Sequence, residues 1–296
     1  MLQIALRSEV GVCRFDWYQA TVGATVPDIR ACLLDMAPRG VWEPQKRAPY
    51  GYNFADHLEG SDGTAARLWW GDRHPFPHVQ MSGEDADVGA RLLRARWPEE
   101  HAVSRADPCI DYGEGDAYET LQAQALTVAA AHRVKVGTAG DHLLTMEGRT
   151  LYLGSPTSAV RLRIYEKAAQ LRAKFRDDPV KLATVPDNLT RLECQVRPQG
   201  PAAKHLASKA EPMALMGSAK WMRALMGLVA DVELEPLMVG KPWRQADDDR
   251  AYAAMLAQYG GLLERVRADL GSWDCLGLQI GHDLAERKAA RKLGMG

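Results

Sequence analysis

The sequence predicts an α+β fold with helices packed on one side of a mainly antiparallel β-sheet, followed by a smaller C-terminal helical region. Two observations support this prediction. Several segments alternate apolar with charged or polar residues, as a half-buried strand does, and most precede a segment with helical periodicity. Beyond Pro201 only helical periodicity remains. We therefore place a boundary near residue 200 and divide the chain into residues 1–200 and 201–296.

Local patterns place the elements of the first region. Pro27 and Asp28 are typical of a first helical turn, and the alanine-rich run after residue 116 favours a helix. The predicted strands are 14–22, 67–70, 77–81, 101–111, 143–145, 151–153, 160–165 and 190–196. The predicted helices are 27–36, 84–96, 117–132 and 168–175. Proline lacks the amide hydrogen that a sheet requires, so Pro108 predicts a bulged strand or one at a sheet edge.

The second region is predicted to form helices over 202–210, 213–229, 247–270 and 282–293. The last of these is basic. A basic terminal helix is most simply a solvated surface, and contact with DNA or a partner protein is the alternative.

Composition limits the class of protein. The 296 residues carry a net charge of -1, so nucleic-acid binding would have to use local basic patches. The five cysteines are odd in number, scattered and without a Cys-x-x-Cys pair, which indicates reduced thiols and a cytoplasmic protein. We find no signal peptide and no apolar run of membrane-spanning length, so no membrane partner is expected.

The segment from Gly148 to Gln170 is predicted to form a hairpin with one polar side. Within its second strand, Val160, Leu162 and Ile164 point to one face. The other face carries two arginines, a tyrosine and a lysine, namely Arg161, Arg163, Tyr165 and Lys167. Such a strip can hold a phosphodiester against a phenolic nucleophile. A half-buried strand with a solvated basic face is the alternative.

Two other predicted strands carry carboxylates with the same parity. One face of the first holds Arg105, Asp107, Cys109 and Asp111. One face of the second holds Arg191, Glu193, Gln195 and Arg197. If these strands neighbour the hairpin, Asp107, Asp111 and Glu193 project from a single surface, where hard oxygen ligands suit Mg²⁺ or Mn²⁺. Salt bridges between these carboxylates and the arginines are the alternative.

The hairpin TLYLGSPTSAVRLRIYEK, residues 150–167, resembles the signature of the Rep_trans family of replication initiation factors. These are tyrosine nickases of staphylococcal-type rolling-circle plasmids, with relatives in filamentous phages and integrative elements. Four further segments resemble family strands, namely residues 16–21, 78–83, 104–111 and 190–193. The likeness covers about residues 14–200, and Pro108 departs from it because the family usually has an apolar residue there.

The resemblance implies a metal-dependent enzyme that nicks DNA and transfers a strand to start rolling-circle replication. Tyr165 would form a 5′-phosphotyrosyl intermediate, and Lys167 would assist it. Asp107, Asp111 and Glu193 would hold Mg²⁺ or Mn²⁺. DNA would be bound by the arginines, namely Arg161, Arg163, Arg191 and Arg197. Origin DNA is the implied partner, and a second copy of the chain and a host helicase are further candidates.

Several alternatives remain at the level of sequence. The same fold can serve a conjugative relaxase or a non-catalytic protein that binds an origin or operator, and a regulatory protein without a DNA role is a third class. Tyr152 is the rival nucleophile, although Leu151 and Leu153 beside it predict packing. Parity places Glu166 on the core side, so it stays outside the metal set. The sequence has no P-loop and no His-x-His motif, so ATPase activity and a histidine-based nicking centre are not expected.

Overall fold

The computed structural model describes residues 12–61, 63–240 and 247–292. By contacts the chain forms two compact units, Met1–Lys241 and Pro242–Gly296. The first unit extends past residue 200, where we placed a boundary, because the helices that follow pack with the sheet in one core.

The first unit is organised on a ten-stranded sheet in which every neighbouring pair is antiparallel. The strands are β1 Arg14–Val22, β2 Val41–Pro44, β3 Phe54–Gly60, β4 Gly63–Trp70, β5 His78–Ser82, β6 His101–Tyr112, β7 Val136–Ala139, β8 Thr150–Leu153, β9 Val160–Glu166 and β10 Thr190–Val196. Their order is β2-β3-β4-β5-β1-β6-β10-β9-β8-β7. The predicted α+β class with a mainly antiparallel sheet is confirmed.

The first unit also contains eight α-helices within the described residues, and most of them bury the apolar side of this sheet. They are α1 Val26–Leu33, α2 Asp85–Arg96, α3 Ala117–His132, α4 Lys167–Lys174, α5 Pro179–Ala183, α6 Pro201–Lys209, α7 Pro212–Met216 and α8 Lys220–Val229, with a 3₁₀ turn at Leu34–Met36. Strand residues such as Ile110 and Leu162 share one core with helix residues such as Leu93 and Leu121. Burial of these side chains is the main favourable contribution to folding.

The structure also differs from the sequence prediction at several elements. Strands β2, β3 and β7 were not predicted. β2 and β7 are short and largely exposed, whereas β3 is a seven-residue strand that lies in a segment with many glycines and prolines. The predicted strand at 143–145 is wrong. There the carboxylate of Asp141 accepts hydrogen bonds from the amides of Leu143, Leu144 and Thr145, at 2.9, 2.8 and 2.9 Å. This local turn satisfies amides that a strand would have paired across the sheet.

The predicted helix at 213–229 is two helices, α7 and α8, separated near Gly217. A Cβ atom at Gly217 would lie 2.3 Å from the carbonyl oxygen of Glu235, so only glycine fits this close approach.

Pro108 lies inside β6, which is a central strand between β1 and β10, so an edge position is wrong. The alternative of a bulge is confirmed in part: β6 has an extra residue at Ser104, whereas at Pro108 the extra residue lies in the partner strand β1. The register shifts between Phe15 and Trp17 of β1, opposite Pro108 and Asp107. This bulge inserts Asp16 as the extra residue of β1, at the place where proline offers no amide hydrogen.

In the described part of the second unit, residues 247–292, there are two helices, α9 Asp247–Leu270 and α10 Trp273–Lys292, with Gly271 between them at φ 90°. The predicted last helix therefore begins earlier than residue 282. In the described part of the chain, no helix combines the length and apolar character needed to cross a membrane.

Candidate active site on the polar face of the sheet

The sheet face opposite the apolar core, which we call the polar face, brings three predicted strands together. Strand β10 lies between β6 and β9. Arg191 is paired with Asp111 on one side and with Tyr165 on the other. Glu193 lies opposite Arg163. Strand parity therefore places the predicted tyrosine, carboxylates and arginines on a common surface.

Tyr165 is enclosed at this face, with 4% of its surface exposed. Its hydroxyl donates to Glu193 Oε2 at 3.4 Å, and Lys167 Nζ lies 3.5 Å from the same hydroxyl. Burial and the charge of Glu193 raise the pKa of Tyr165 well above its usual value. The phenol is consequently neutral near pH 7, with its proton directed towards a carboxylate.

Two cationic groups surround this phenol. Arg163 lies over the ring of Tyr165, 4.2 Å from its centroid, and donates to Glu193 Oε2 at 2.6 Å. Lys167 is the first residue of α4 and also donates to Gln170 at 2.9 Å. Burial, followed by repulsion from Arg191, lowers the pKa of Lys167. Both cations can approach a phosphate beside the tyrosine.

Asp107 and Glu193 are buried carboxylates on neighbouring strands. Asp107 accepts from Arg105 Nε, at 3.0 and 3.1 Å to its two oxygens. Burial raises the pKa of Asp107 to about 7 despite this partner, and the negative charge of Glu193 contributes. Burial is the main cause of this rise, and a cation bound at Asp107 would favour the ionised carboxylate.

Asp111 is fixed by arginines instead. Arg191 donates to both its oxygens, from Nε at 2.6 Å and from Nη2 at 2.7 Å, and Arg14 adds a third bond at 2.7 Å. Although burial opposes ionisation, the hydrogen bonds from Arg191 hold the pKa of Asp111 below its usual value. Arg191 also donates to Asp16 at 2.5 Å, and its side chain is only 5% exposed. This network ties β10 to β6 and β1.

The three predicted metal ligands do not form a compact cluster. Within the described residues, the only group of three potential ligands whose atoms lie within 4.8 Å of one another is His282, Asp283 and Glu286, all exposed on α10. Asp107, Asp111 and Glu193 share the polar face but are each paired with an arginine. Their role as metal ligands stays a prediction. The contacts observed are the salt bridges to arginine that the sequence analysis gave as the alternative.

The remaining predicted DNA-binding arginines lie towards the hairpin turn. Arg161 stacks over Tyr152, 4.1 Å from the ring centroid. Arg197 follows β10 and donates to the carbonyl of Pro156 at 2.5 Å. Burial lowers the pKa of Arg197, and the charges of Arg105 and Arg161 lower it further. Three guanidinium groups therefore act on one another at this end of the polar face.

Tyr152 lies on the polar face too, because it is paired with Arg163 across β8 and β9. The expectation that Leu151 and Leu153 pack around it is wrong, since successive strand residues point to opposite faces. Both leucines are buried in the core, whereas Tyr152 is part-exposed. Two tyrosines therefore share this surface, and only Tyr165 is held beside Glu193.

Glu166 lies on the core side, as parity indicates. Its carboxylate accepts from Arg149, at 2.7 Å from the backbone amide and at 3.2 and 2.8 Å from the guanidinium. It lines a cavity of about 360 Å³ together with Tyr118 and Glu119. Glu166 therefore pairs with an arginine rather than facing Asp107 and Glu193.

Sequence reasoning missed the contributions of β1 to the polar face. Asp16 and Trp17 are consecutive, yet Asp16 bonds to Arg191 while Trp17 lies 4.5 Å below the guanidinium of Arg105. The bulge allows both side chains to reach the same face. The charged residues Arg14 and Asp16 in a predicted strand could have indicated this contribution. Alternation along one strand, however, does not show which residues of other strands they pair with.

No family model matches the chain. No curated protein matches it either. Among solved structures, the fold is similar to the rolling circle replication initiator protein from Geobacillus stearothermophilus, with a TM-score of 0.52 and 17% identity. The match covers 77% of this chain and 99% of that chain. At this identity the likeness establishes a shared fold.

Proposed function

We propose that the chain is a DNA-nicking and strand-transfer enzyme that initiates rolling-circle replication of a phage, plasmid or mobile element. The observation that carries the proposal is the setting of Tyr165, whose hydroxyl lies between Glu193 and Lys167 on the polar face. The proposal is supported by the fold shared with a rolling-circle initiator and by the resemblance of residues 150–167 to the Rep_trans hairpin.

Tyr165 would act as the nucleophile on a DNA phosphodiester. As its oxygen bonds to phosphorus, its proton passes to the Glu193 carboxylate 3.4 Å away. The bond from phosphorus to the 3′ oxygen breaks, which leaves a 5′-phosphotyrosyl link and a 3′-hydroxyl after protonation by solvent. Lys167 and Arg163 would hold the charge that develops on the phosphate oxygens.

The pair Asp107 and Glu193 suits a divalent cation better than the three ligands predicted from the sequence, which also include Asp111. Their oxygens are hard donors, and burial with mutual repulsion raises the pKa of Asp107 to about 7. Mg²⁺ is commonly held by one or two carboxylates together with substrate phosphate. Such a cation, Mg²⁺ or Mn²⁺, would polarise the scissile phosphate and neutralise the leaving oxygen. We propose Asp111 as a structural anchor of Arg191.

The arginines divide into two groups in this proposal. Arg163, Arg161 and Arg197 would contact origin DNA, since these residues are part-exposed on the polar face. Arg191 would act indirectly, because Asp16 and Asp111 occupy its nitrogens.

The test is a nicking assay on supercoiled plasmid carrying the DNA next to the gene, with Mg²⁺ or Mn²⁺. Wild type is expected to give open circles and a covalent adduct whose peptide map places DNA on Tyr165. The Tyr165→Phe protein should fold and bind DNA but form no adduct. Tyr152→Phe is the matched control on the same face and should nick normally. An adduct on any residue other than Tyr165 would refute the assignment.

A second candidate is a non-catalytic protein that binds an origin or operator on the same fold. The observation in its favour is that each carboxylate of the polar face is paired with an arginine. Wild type that binds the same plasmid site but never nicks it, with either cation, would support this candidate. A conjugative relaxase uses the same chemistry and differs in the DNA that it cuts.

A further inference from the structure

We infer that Trp17, Arg105, Tyr152, Arg161 and Arg197 form an arginine–aromatic patch that binds single-stranded DNA to one side of Tyr165. The inference rests on the proposed function, since it names the form of DNA that the polar face receives.

The first observation is the free charge of Arg161. Within the described residues, the side chain of Arg161 makes no hydrogen bond or ion pair, and its guanidinium lies over the ring of Tyr152. Its Nε is enclosed without a hydrogen-bond partner. Within the described residues, the guanidinium of Arg197 has no acidic partner and donates to the carbonyl of Pro156. Two guanidinium groups without carboxylates favour an anion such as a backbone phosphate.

The second observation is a repeated pairing of arginine with an aromatic ring. Arg161 lies 4.1 Å from the centroid of Tyr152, and Arg105 lies 4.5 Å from that of Trp17. Because each guanidinium lies over a ring, a base can stack on the same surface while N–H groups reach phosphates. All four side chains are part-exposed.

The position of the patch suits a strand that runs past the tyrosine. Arg161 is four residues before Tyr165 in β9, a distance of about 13 Å along an extended strand. The two stacked pairs lie on β1 with β6 and on β8 with β9, so they span the sheet across about 19 Å at the usual strand spacing. Arg197 directly follows β10, which lies between β6, the strand of Arg105, and β9, the strand of Arg161.

Unpaired bases explain these features better than a duplex does. Base stacking on rings or guanidinium planes requires exposed base faces, which duplex DNA does not offer away from its ends. Phosphate contacts alone would need no aromatic rings. The patch would therefore hold the single strand that leads to the scissile phosphate.

The experiment measures binding of fluorescein-labelled oligo(dT), and of a duplex of matched length, by anisotropy in EDTA. Arg161→Ala should weaken oligo(dT) binding and reduce its salt slope by about 0.7, the value for one phosphate contact with a single strand. Tyr152→Leu should weaken it about 5- to 150-fold, the range for one stacked base. Tyr152→Phe keeps the ring and should bind as wild type does.

Arg91→Ala is the matched control, because Arg91 is 70% exposed on α2, which packs against the apolar side of the sheet. It should leave oligo(dT) binding unchanged. Thermal melting of each variant excludes misfolding as the cause of a loss. Unchanged oligo(dT) binding by folded Arg161→Ala and Tyr152→Leu proteins would overturn the patch, as would an equal effect of both changes on the duplex.

The Tyr165→Phe protein separates this inference from the proposed function. It should bind oligo(dT) normally and fail to nick. If Tyr165→Phe nicks while Arg161→Ala loses oligo(dT) binding, the proposed chemistry fails and the patch stands. If Tyr165→Phe is inactive while Arg161→Ala binds normally, the patch fails and the proposed chemistry stands.

Discussion

Replacing Asp107 with asparagine tests the buried carboxylate pair most directly. Asp107 is 1% exposed, and its pKa rises from 3.8 to about 7 in the folded protein. A rise of this size means that ionised Asp107 destabilises the folded protein by about 4 kcal/mol above pH 7. Asparagine resembles the protonated acid in shape and charge. We therefore expect Asp107→Asn to stabilise the cation-free protein by about 1 to 4 kcal/mol at alkaline pH.

The sign of the pH dependence follows from the direction of the shift. Because the folded pKa lies above the unfolded value, the folded protein binds more protons, and wild-type stability falls as pH rises from about 4 to about 7. The advantage of Asp107→Asn should grow over that window and then level off. Below about pH 4, residue 107 of wild type is protonated in both the folded and the unfolded state. The stabilities of wild type and Asp107→Asn should therefore be similar there.

Urea denaturation followed by tryptophan fluorescence measures the stability difference in EDTA and the stabilisation by a cation in Mn²⁺. At a cation concentration of about 100 times Kd, wild type should gain about 2.7 kcal/mol if Asp107 is a ligand, and Asp107→Asn should gain little. Asp111→Asn is the matched control, and it should change the free energy of unfolding in the opposite direction. It leaves Arg191 without its bidentate partner and should lose about 3 kcal/mol. Equal stabilisation of wild type and Asp107→Asn by Mn²⁺, or a cation-free Asp107→Asn less stable than wild type at alkaline pH, would refute the reasoning.

Other consequences of the site can be measured separately. Arg191→Gln should destabilise the protein by about 3 kcal/mol in urea, since the part-buried carboxylates of Asp16 and Asp111 lose their cation; unchanged stability would mean that Arg191 is free to bind DNA. Arg163→Ala should reduce the salt slope of duplex DNA binding by about 1, and an unchanged slope would mean that Arg163 serves only Glu193. Mn²⁺ affinity, measured by calorimetry, should increase as pH rises through about 7, because the cation competes with the proton on Asp107. Mn²⁺ should also lower the pKa of Tyr165 by neutralising Glu193, which the ultraviolet titration difference between wild type and Tyr165→Phe would detect. No shift in that titration would place the cation away from the tyrosine.

The sequence by itself determined the fold class and part of the composition of the polar face. Strands β1 and β10 and helix α3 have the predicted bounds, because alternation and alanine content are properties of consecutive residues. The same local parity placed Arg163, Tyr165 and Glu193 on one side of the sheet. Short exposed strands such as β7 escaped prediction, since exposure on both faces leaves no alternation to detect.

Only the tertiary structure decided how those side chains are paired. Cross-strand register pairs Asp111 with Arg191 and Glu193 with Arg163. The bulge in β1 brings Asp16 into contact with Arg191. Register and bulges depend on contacts between residues far apart in the chain, which no local pattern encodes. Burial likewise raises the pKa of Tyr165, because the surroundings of a phenol are set by neighbouring strands rather than by its own.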